Sequence, residues 1–333
     1  MSTLESLLSE RILVLDGAMG TELQRLGLGE ADFRGERFKN HARDLRGDYD
    51  ALSLTRPALV SRVHCDYLEA GCDIIRTNTF GSTAIVQAHY GLTTCGYELN
   101  VVSAQLARKA CDAWIARTPR QPRFVAGTIG PTDRSVSSHG GVGAAASRVI
   151  TFDQLKNAYK EQARGLVDGG CDILLVETVF DVLNAGAALA AIEETCLNRP
   201  LPVMLSATVS DPDGRTLAGQ TIGDFWTAVA PAGPLSVGLN CSAGARAMRP
   251  HLAALAGLAD CWISCHPSAG LPDTLGRYRD QPGDLARVLG DFAASQLVNI
   301  VGGCCGTTPE HVKAIVEAVR GVPPRSRRRA SDD

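Results

Sequence analysis

No uninterrupted apolar run in this sequence approaches the roughly 18 residues that a membrane helix needs. Its first residues, MSTLES, lack the basic-then-apolar order of a secretion signal. No basic stripe exceeds the three arginines at 327–329, and charge is nearly balanced, with 33 basic residues against 36 acidic for a net −3. These absences speak against a membrane span, against export and against nucleic acid as the main partner, and they make the cytoplasm the expected compartment. The sequence also lacks any low-complexity linker, so one domain is expected of 333 residues, a length that alone would admit two. There is no Cys-x2-Cys pair either, although the chain holds 11 cysteines. An odd number of thiols in a reducing compartment is not a disulfide framework, so some of them are expected to serve a metal or catalysis.

What is present is rhythm. A hydrophobic share of 45% is ample for a core. Short apolar runs rich in Ile, Val and Leu recur at 12–15, 73–79, 124–130, 173–178, 203–208, 236–241, 261–266 and 299–304, each too short for a helix. Between them lie stretches of helical period at 57–70, 99–116, 152–167, 182–194, 222–230, 248–258, 282–295 and 309–319. Strands that are apolar on both faces belong to parallel sheets wrapped by helices. Eight strand-helix units in about 300 residues fit a (β/α)8 TIM barrel better than a doubly wound sheet of about five or six strands. The barrel is expected to fill 1–323, with a disordered basic tail over 324–333. Thr151 and Thr308 read as helix N-caps. The polar segment 28–54 is too long for an idle loop and is expected to lie over the barrel mouth, as is a second insertion at 132–150.

In such a barrel the strand C-termini converge on one volume. That places Asp16, Asn78, Gly130, Glu177, Thr208, Asn240 with Cys241, His266, and Cys304 with Cys305 around a common centre. Three thiolates in one place, with glycines around a doubled cysteine, suit zinc, which in catalytic sites keeps three protein ligands and one exchangeable position. His266 is either a fourth ligand or a hydrogen-bonding partner of one, and His311 is expected to be exposed. The other eight cysteines are expected to be mostly packing. Asp16 and Glu177 need a cation if buried. A glycosidase pair would leave the thiolates unexplained, whereas a ligand ammonium explains both carboxylates. The turn from Gly17 to Thr21, opening a helix, offers backbone N–H groups to a ligand carboxylate. Ammonium, carboxylate and a thiol-seeking metal together describe a thiol amino acid.

The motifs LDGAMGT at 15–21, TNTF at 77–80, GTIGPT at 127–132, VETVFD at 176–181, GLNC at 238–241 and GGCCGTTP at 302–309 resemble the homocysteine S-methyltransferase family. The likeness runs from about residue 11 to 322. EADFRGERF at 30–38 and HPSAGLP at 266–272 are similar to the homocysteine-binding domain of cobalamin-dependent methionine synthase. The resemblance implies a TIM barrel with a catalytic Zn2+ on Cys241, Cys304 and Cys305, and L-homocysteine activated there as a thiolate and methylated to methionine. It also implies Asp16, Gly17, Thr21, Asn78, Glu177 and Asn240 around the substrate. The implied methyl donor is methylcobalamin in trans, with cobalamin- and folate-binding modules as partners, so the chain is expected to be a separate homocysteine module or a truncated piece of a longer synthase. A small donor such as S-methylmethionine or betaine is the alternative, and a barrel that only stores its ligand is a further one. Arg76 departs from the pattern, standing where a glutamate is expected before TNTF.

Overall fold

The computed structural model describes residues 3–137, 149–209, 211, 213–242, 244–274 and 276–327. All eight expected strands are present: β1 (Leu13–Val14), β2 (Ile74–Arg76), β3 (Phe124–Ile129), β4 (Ile173–Val179), β5 (Val203–Ala207), β6 (Ser236–Cys241), β7 (Trp262–Pro267) and β8 (Ile300–Val301). They form one parallel sheet in the order β1-β8-β7-β6-β5-β4-β3-β2. The circle closes between β1 and β2 through a bridge from Leu15 to Ile74, with Asp16 N donating to Ile74 O and Asp73 N to Val14 O. The chain is a (β/α)8 TIM barrel.

Helix α1 (Thr3–Glu10) precedes β1. Helices α2 (Met19–Arg25), α3 (Glu30–Arg34), α4 (Leu52–Thr55) and α5 (Pro57–Glu69) follow β1, and α6 (Ala84–Gln87) and α7 (Gly96–Arg117) follow β2. One long helix follows each later strand: α8 (Phe152–Asp168), α9 (Val182–Cys196), α10 (Ile222–Val229), α11 (Ala245–Leu258), α12 (Pro282–Ala294) and α13 (Pro309–Val319). Thr151 caps α8 by accepting from Gln154 N. At α13 the imidazole of His311 completes the cap with Thr308, and its Nε2 contacts Asp280 O at 2.9 Å. His311 is therefore buried, not exposed as the sequence suggested.

The two-residue period of the strands sorts the core. Ile75, Val125, Leu174, Leu205, Val237 and Ile263 face the helices in the larger apolar cluster. Leu13, Leu15, Ile74, Ala126, Ile173, Leu175, Met204, Trp262 and Ile300 fill the barrel floor, closed from below by Leu4 and Leu8 of α1. Continuing upward with the same period come Thr128, Ser206, Gly238 and Ser264, then Arg76, Glu177, Asn240 and His266. Apolar at the base and charged at the mouth, the interior sets the site at the strand C-termini.

The segment after β1 is more ordered than its composition implies. Glu30 accepts from Leu45 N and Arg46 N, and Arg34 donates to His41 O and Arg43 O. Phe33 is buried edge-on to Tyr49 at 5.5 Å. The EADFRGERF residues thus fold 28–54 into a strap that carries Gly47 to Asp50 to the mouth. Of the second insertion, Ser135 and Ser137 bind Asp181, and residues 138–148 lie outside the described residues. The tail also departs from expectation. Arg325 is buried and donates to Ala256 O, Ala259 O and Cys261 O, and Arg327 stacks on Trp262 at 4.4 Å. Residues 328–333 lie outside the described residues.

Candidate metal centre and substrate cavity

Cys241 ends β6, where it and Ser242 both adopt left-handed backbone, φ 59° and 63°. Cys304 and Cys305 follow β8 in a turn pinned from three sides: Gly303 N donates to Asp16 O, Cys304 N to Pro267 O, and Ala269 N to Cys305 O. Two glycines make that turn possible by close approach. A Cβ on Gly303 would lie 2.3 Å from Thr307 Oγ1, and one on Gly306, at φ 78°, would lie 2.2 Å from the Tyr278 ring. The three sulfurs lie within 4.8 Å of one another, with Cys241 and Cys305 at 3.7 Å. No disulfide links them.

Around the sulfurs stand donors that fix them. Asn240 Nδ2 approaches Cys304 Sγ at 3.8 Å while its amide is locked on Thr178, N to Oδ1 at 2.9 Å and Nδ2 to Oγ1 at 2.8 Å. Ser268 Oγ donates to Cys241 Sγ at 3.4 Å. Hydrogen bonds from Cys241 and Cys304 hold the Cys305 thiol well below its ordinary range. Its bonds to Cys304 and Cys305 push Cys241 far up. One thiolate is favoured and a second opposed, so the full set of thiolates requires a cation among them. The residues therefore fit a soft divalent ion with one further position for a ligand.

Arg76 organises the wall beside the cysteines. Its Nε donates to Asp16 Oδ1 at 2.8 Å and its Nη1 to Glu177 Oε2 at 3.0 Å. Its Nη2 reaches three carbonyls, those of Asp16, Gly17 and Gly303, and its backbone N reaches Asp16 Oδ2. Burial drives Asp16 up to about 6 against the pull of Arg76, and burial likewise raises Glu177. One guanidinium against two carboxylates leaves a net charge of −1. Asp16 has both oxygens committed, whereas Glu177 Oε1 has no partner among the described residues and Glu177 lines the cavity. His266 is fully buried, with Nδ1 3.8 Å from Glu177 Oε2, and burial lowers its pKa.

The cavity encloses about 640 Å3 and runs from the cysteines to the strap, along Gly17 to Thr21, Asn78, Glu177 and Asp48 to Asp50. Thr21 Oγ1 accepts from Gly306 N, tying the α2 start to the cysteine turn. Asn78 donates to Tyr49 O and Ser53 Oγ, so it fastens the strap. Of the residues singled out from sequence, Gly17, Thr21, Asn78, Glu177, Cys241, Cys304 and Cys305 line this one space, while Asp16 and Asn240 stand behind it. Sequence reasoning missed Thr178, Ser268 and Tyr278. Thr178 carried a signal inside VETVFD and Ser268 one inside HPSAGLP, whereas Tyr278 carried none. Cys65 is exposed and Cys95 half-buried, and the remaining cysteines outside the cluster are buried.

A TIM barrel that gathers three thiols at the ends of β6 and β8, beside a charged cavity, has the makings of an enzyme site that could hold a metal ion. The homocysteine S-methyltransferase family model matches residues 13–319, and the chain belongs to that family. The metallated form of the homocysteine methyltransferase MmuM from Escherichia coli is similar over 94% of this chain and 99% of its own, at 25% identity and a TM-score of 0.72. The apo form of the same Escherichia coli protein matches 93% of this chain and 96% of its own, at 23% identity and a TM-score of 0.65. The protein is a methyltransferase, and family and neighbours alike support homocysteine as the molecule it methylates. No described helix is long and apolar enough to cross a membrane.

Proposed function

We propose that this protein binds L-homocysteine at a zinc held by Cys241, Cys304 and Cys305 and methylates it to methionine, taking the methyl group from methylcobalamin carried by a separate module. The observation that carries the reading is the convergence of three sulfurs within 4.8 Å at the cavity wall. Zinc at that site supplies the charge that replaces the thiol proton, leaving a sulfur that would otherwise be mostly protonated near neutral pH able to attack carbon. Glu177 Oε1 receives the substrate ammonium, which brings the −1 balance of Arg76, Asp16 and Glu177 to neutrality. The start of α2, from Gly17 to Thr21, faces the carboxylate with backbone N–H groups other than that of Ala18, which Thr307 Oγ1 receives. Asn240, locked on Thr178, keeps Cys304 in place, and the strap held by Asn78 shields the reacting sulfur from water. The S–CH3 bond forms as the bond between methyl and donor breaks, whose electron pair stays with the donor, and the thiol proton goes to solvent.

The likeness of EADFRGERF and HPSAGLP to cobalamin-dependent synthases supports the corrinoid donor. A second reading, a small sulfonium or quaternary ammonium donor, is favoured by Asp48 and Asp50 on the cavity wall, since two carboxylates attract a cation. One assay separates them. A methylated cobalamin-binding protein added in trans should be demethylated when homocysteine is present. Turnover with S-methylmethionine or betaine, and none with the corrinoid protein, would overturn the first reading.

A further inference from the structure

The opposite end of the barrel holds a second cavity, of about 420 Å3, between the end of α1, the beginnings of β1 and β2, the turn before β3 and the end of α13. Its wall carries Arg11, Arg120, Arg123 and Arg320 and one carboxylate, Asp73. Four guanidinium groups against one carboxylate leave three positive charges. Asp73 has nothing more to give: both oxygens accept from Arg11 at 2.8 Å, Oδ2 also accepts from Val14 N at 2.9 Å, and Arg123 Nη1 stands 3.5 Å from Oδ1. Arg123 is only 6% exposed. Its Nη groups are spent on Gln121 and Pro122, and its buried Nε–H has no acceptor among the described residues. Arg120 and Arg320 are exposed and have neither hydrogen bond nor ion pair among the described residues.

Guanidinium groups crowded around a cleft repel one another and focus positive potential into it. The occupant that relieves this is a compact anion of two or more charges whose oxygens match the planar fork of arginine, and a phosphoryl group does so best. Leu7, Val316 and Val319 complete the wall and leave room for a small molecule only. We propose that this cavity binds a small phosphorylated anion, at a site on the far side of the barrel from the thiols. The site sits on the β1–β2 seam, which one bridge closes, so an occupied cavity also holds the seam together.

Inorganic pyrophosphate is the probe, titrated by calorimetry into the full chain at low ionic strength, zinc-loaded and metal-free, with sodium chloride at matched ionic strength as the control. Saturable binding at one site is expected in both forms, with a rise in Tm. The double variant Arg120→Ala, Arg320→Ala removes two side chains that no hydrogen bond or ion pair among the described residues ties to the fold. It should weaken pyrophosphate by about tenfold or more, with homocysteine binding unchanged. Binding that is equal in the variant, that chloride reproduces, or that appears only in the zinc-loaded form would overturn the proposal.

Discussion

Replacing Arg76 with methionine keeps an unbranched stem, shorter than arginine's, and removes the one cation between two buried carboxylates. Asp16 is 1% and Glu177 5% exposed, and the carbonyls of Gly17 and Gly303 lose their donor as well, while that of Asp16 keeps Gly303 N. Removing one partner of a buried ion pair costs about 3–5 kcal/mol. With an unfolding entropy near 0.7 kcal/mol/K for 333 residues, that loss lowers Tm by about 4–7 °C. The loss depends on pH in a definite direction. In the native protein Asp16 titrates at about 6 against 3.8 when unfolded, so the folded state keeps a proton that the unfolded state has shed. Stability therefore falls as pH rises through that window. Without Arg76 both carboxylates move up further and the fall continues above pH 6. The deficit relative to the native protein is thus smaller near pH 5.5 and larger near pH 8.5. Thermal unfolding across that range measures it, and a deficit of under about 1 °C, or one indifferent to pH, would refute Arg76 as the charge that keeps Asp16 and Glu177 ionised.

Cys304→Ser should lose both zinc, by elemental analysis, and homocysteine binding, by calorimetry; full zinc content with unchanged binding would sink the three-thiol site. Adding homocysteine to the zinc form near neutral pH should release about one proton per site, read in two buffers of different ionisation enthalpy. Glu177→Gln keeps an oxygen for Arg76 but gives up a charge, so homocysteine affinity should fall about tenfold or more with zinc content unchanged. Gly238→Ala would set a Cβ 2.0 Å from Ser264 O, forcing β6 from β7. A loss beyond about 4 kcal/mol or insoluble protein is expected, and a native Tm would contradict the register.

The strands and their order were legible because each is buried on both faces, which writes a continuous apolar run into the chain. The cysteines were legible because Cys241, Cys304 and Cys305 stand where those runs end. The sequence showed Arg76 as a departure but not its role, because its partners lie 60 and 101 residues away and that approach is made only by closing the barrel. A place early in a helix suggests exposure for His311, whereas a carbonyl on the loop between β7 and α12, that of Asp280, covers it. Charge alone marks 324–333 as a disordered tail, yet at its beginning Arg325 finds three carbonyls near the end of α11 and the start of β7.

The turn at Cys241 and Ser242 sets stability against precision. Two side chains held in left-handed backbone cost folding energy that glycine would not. A glycine at 242 would relax the turn, but it would take away the hydroxyl that receives Val209 N and let the neighbouring sulfur wander. Selection for a sturdier barrel and selection for a fixed thiol therefore pull in opposite directions at this turn, and the residue kept at 242 records which demand prevailed.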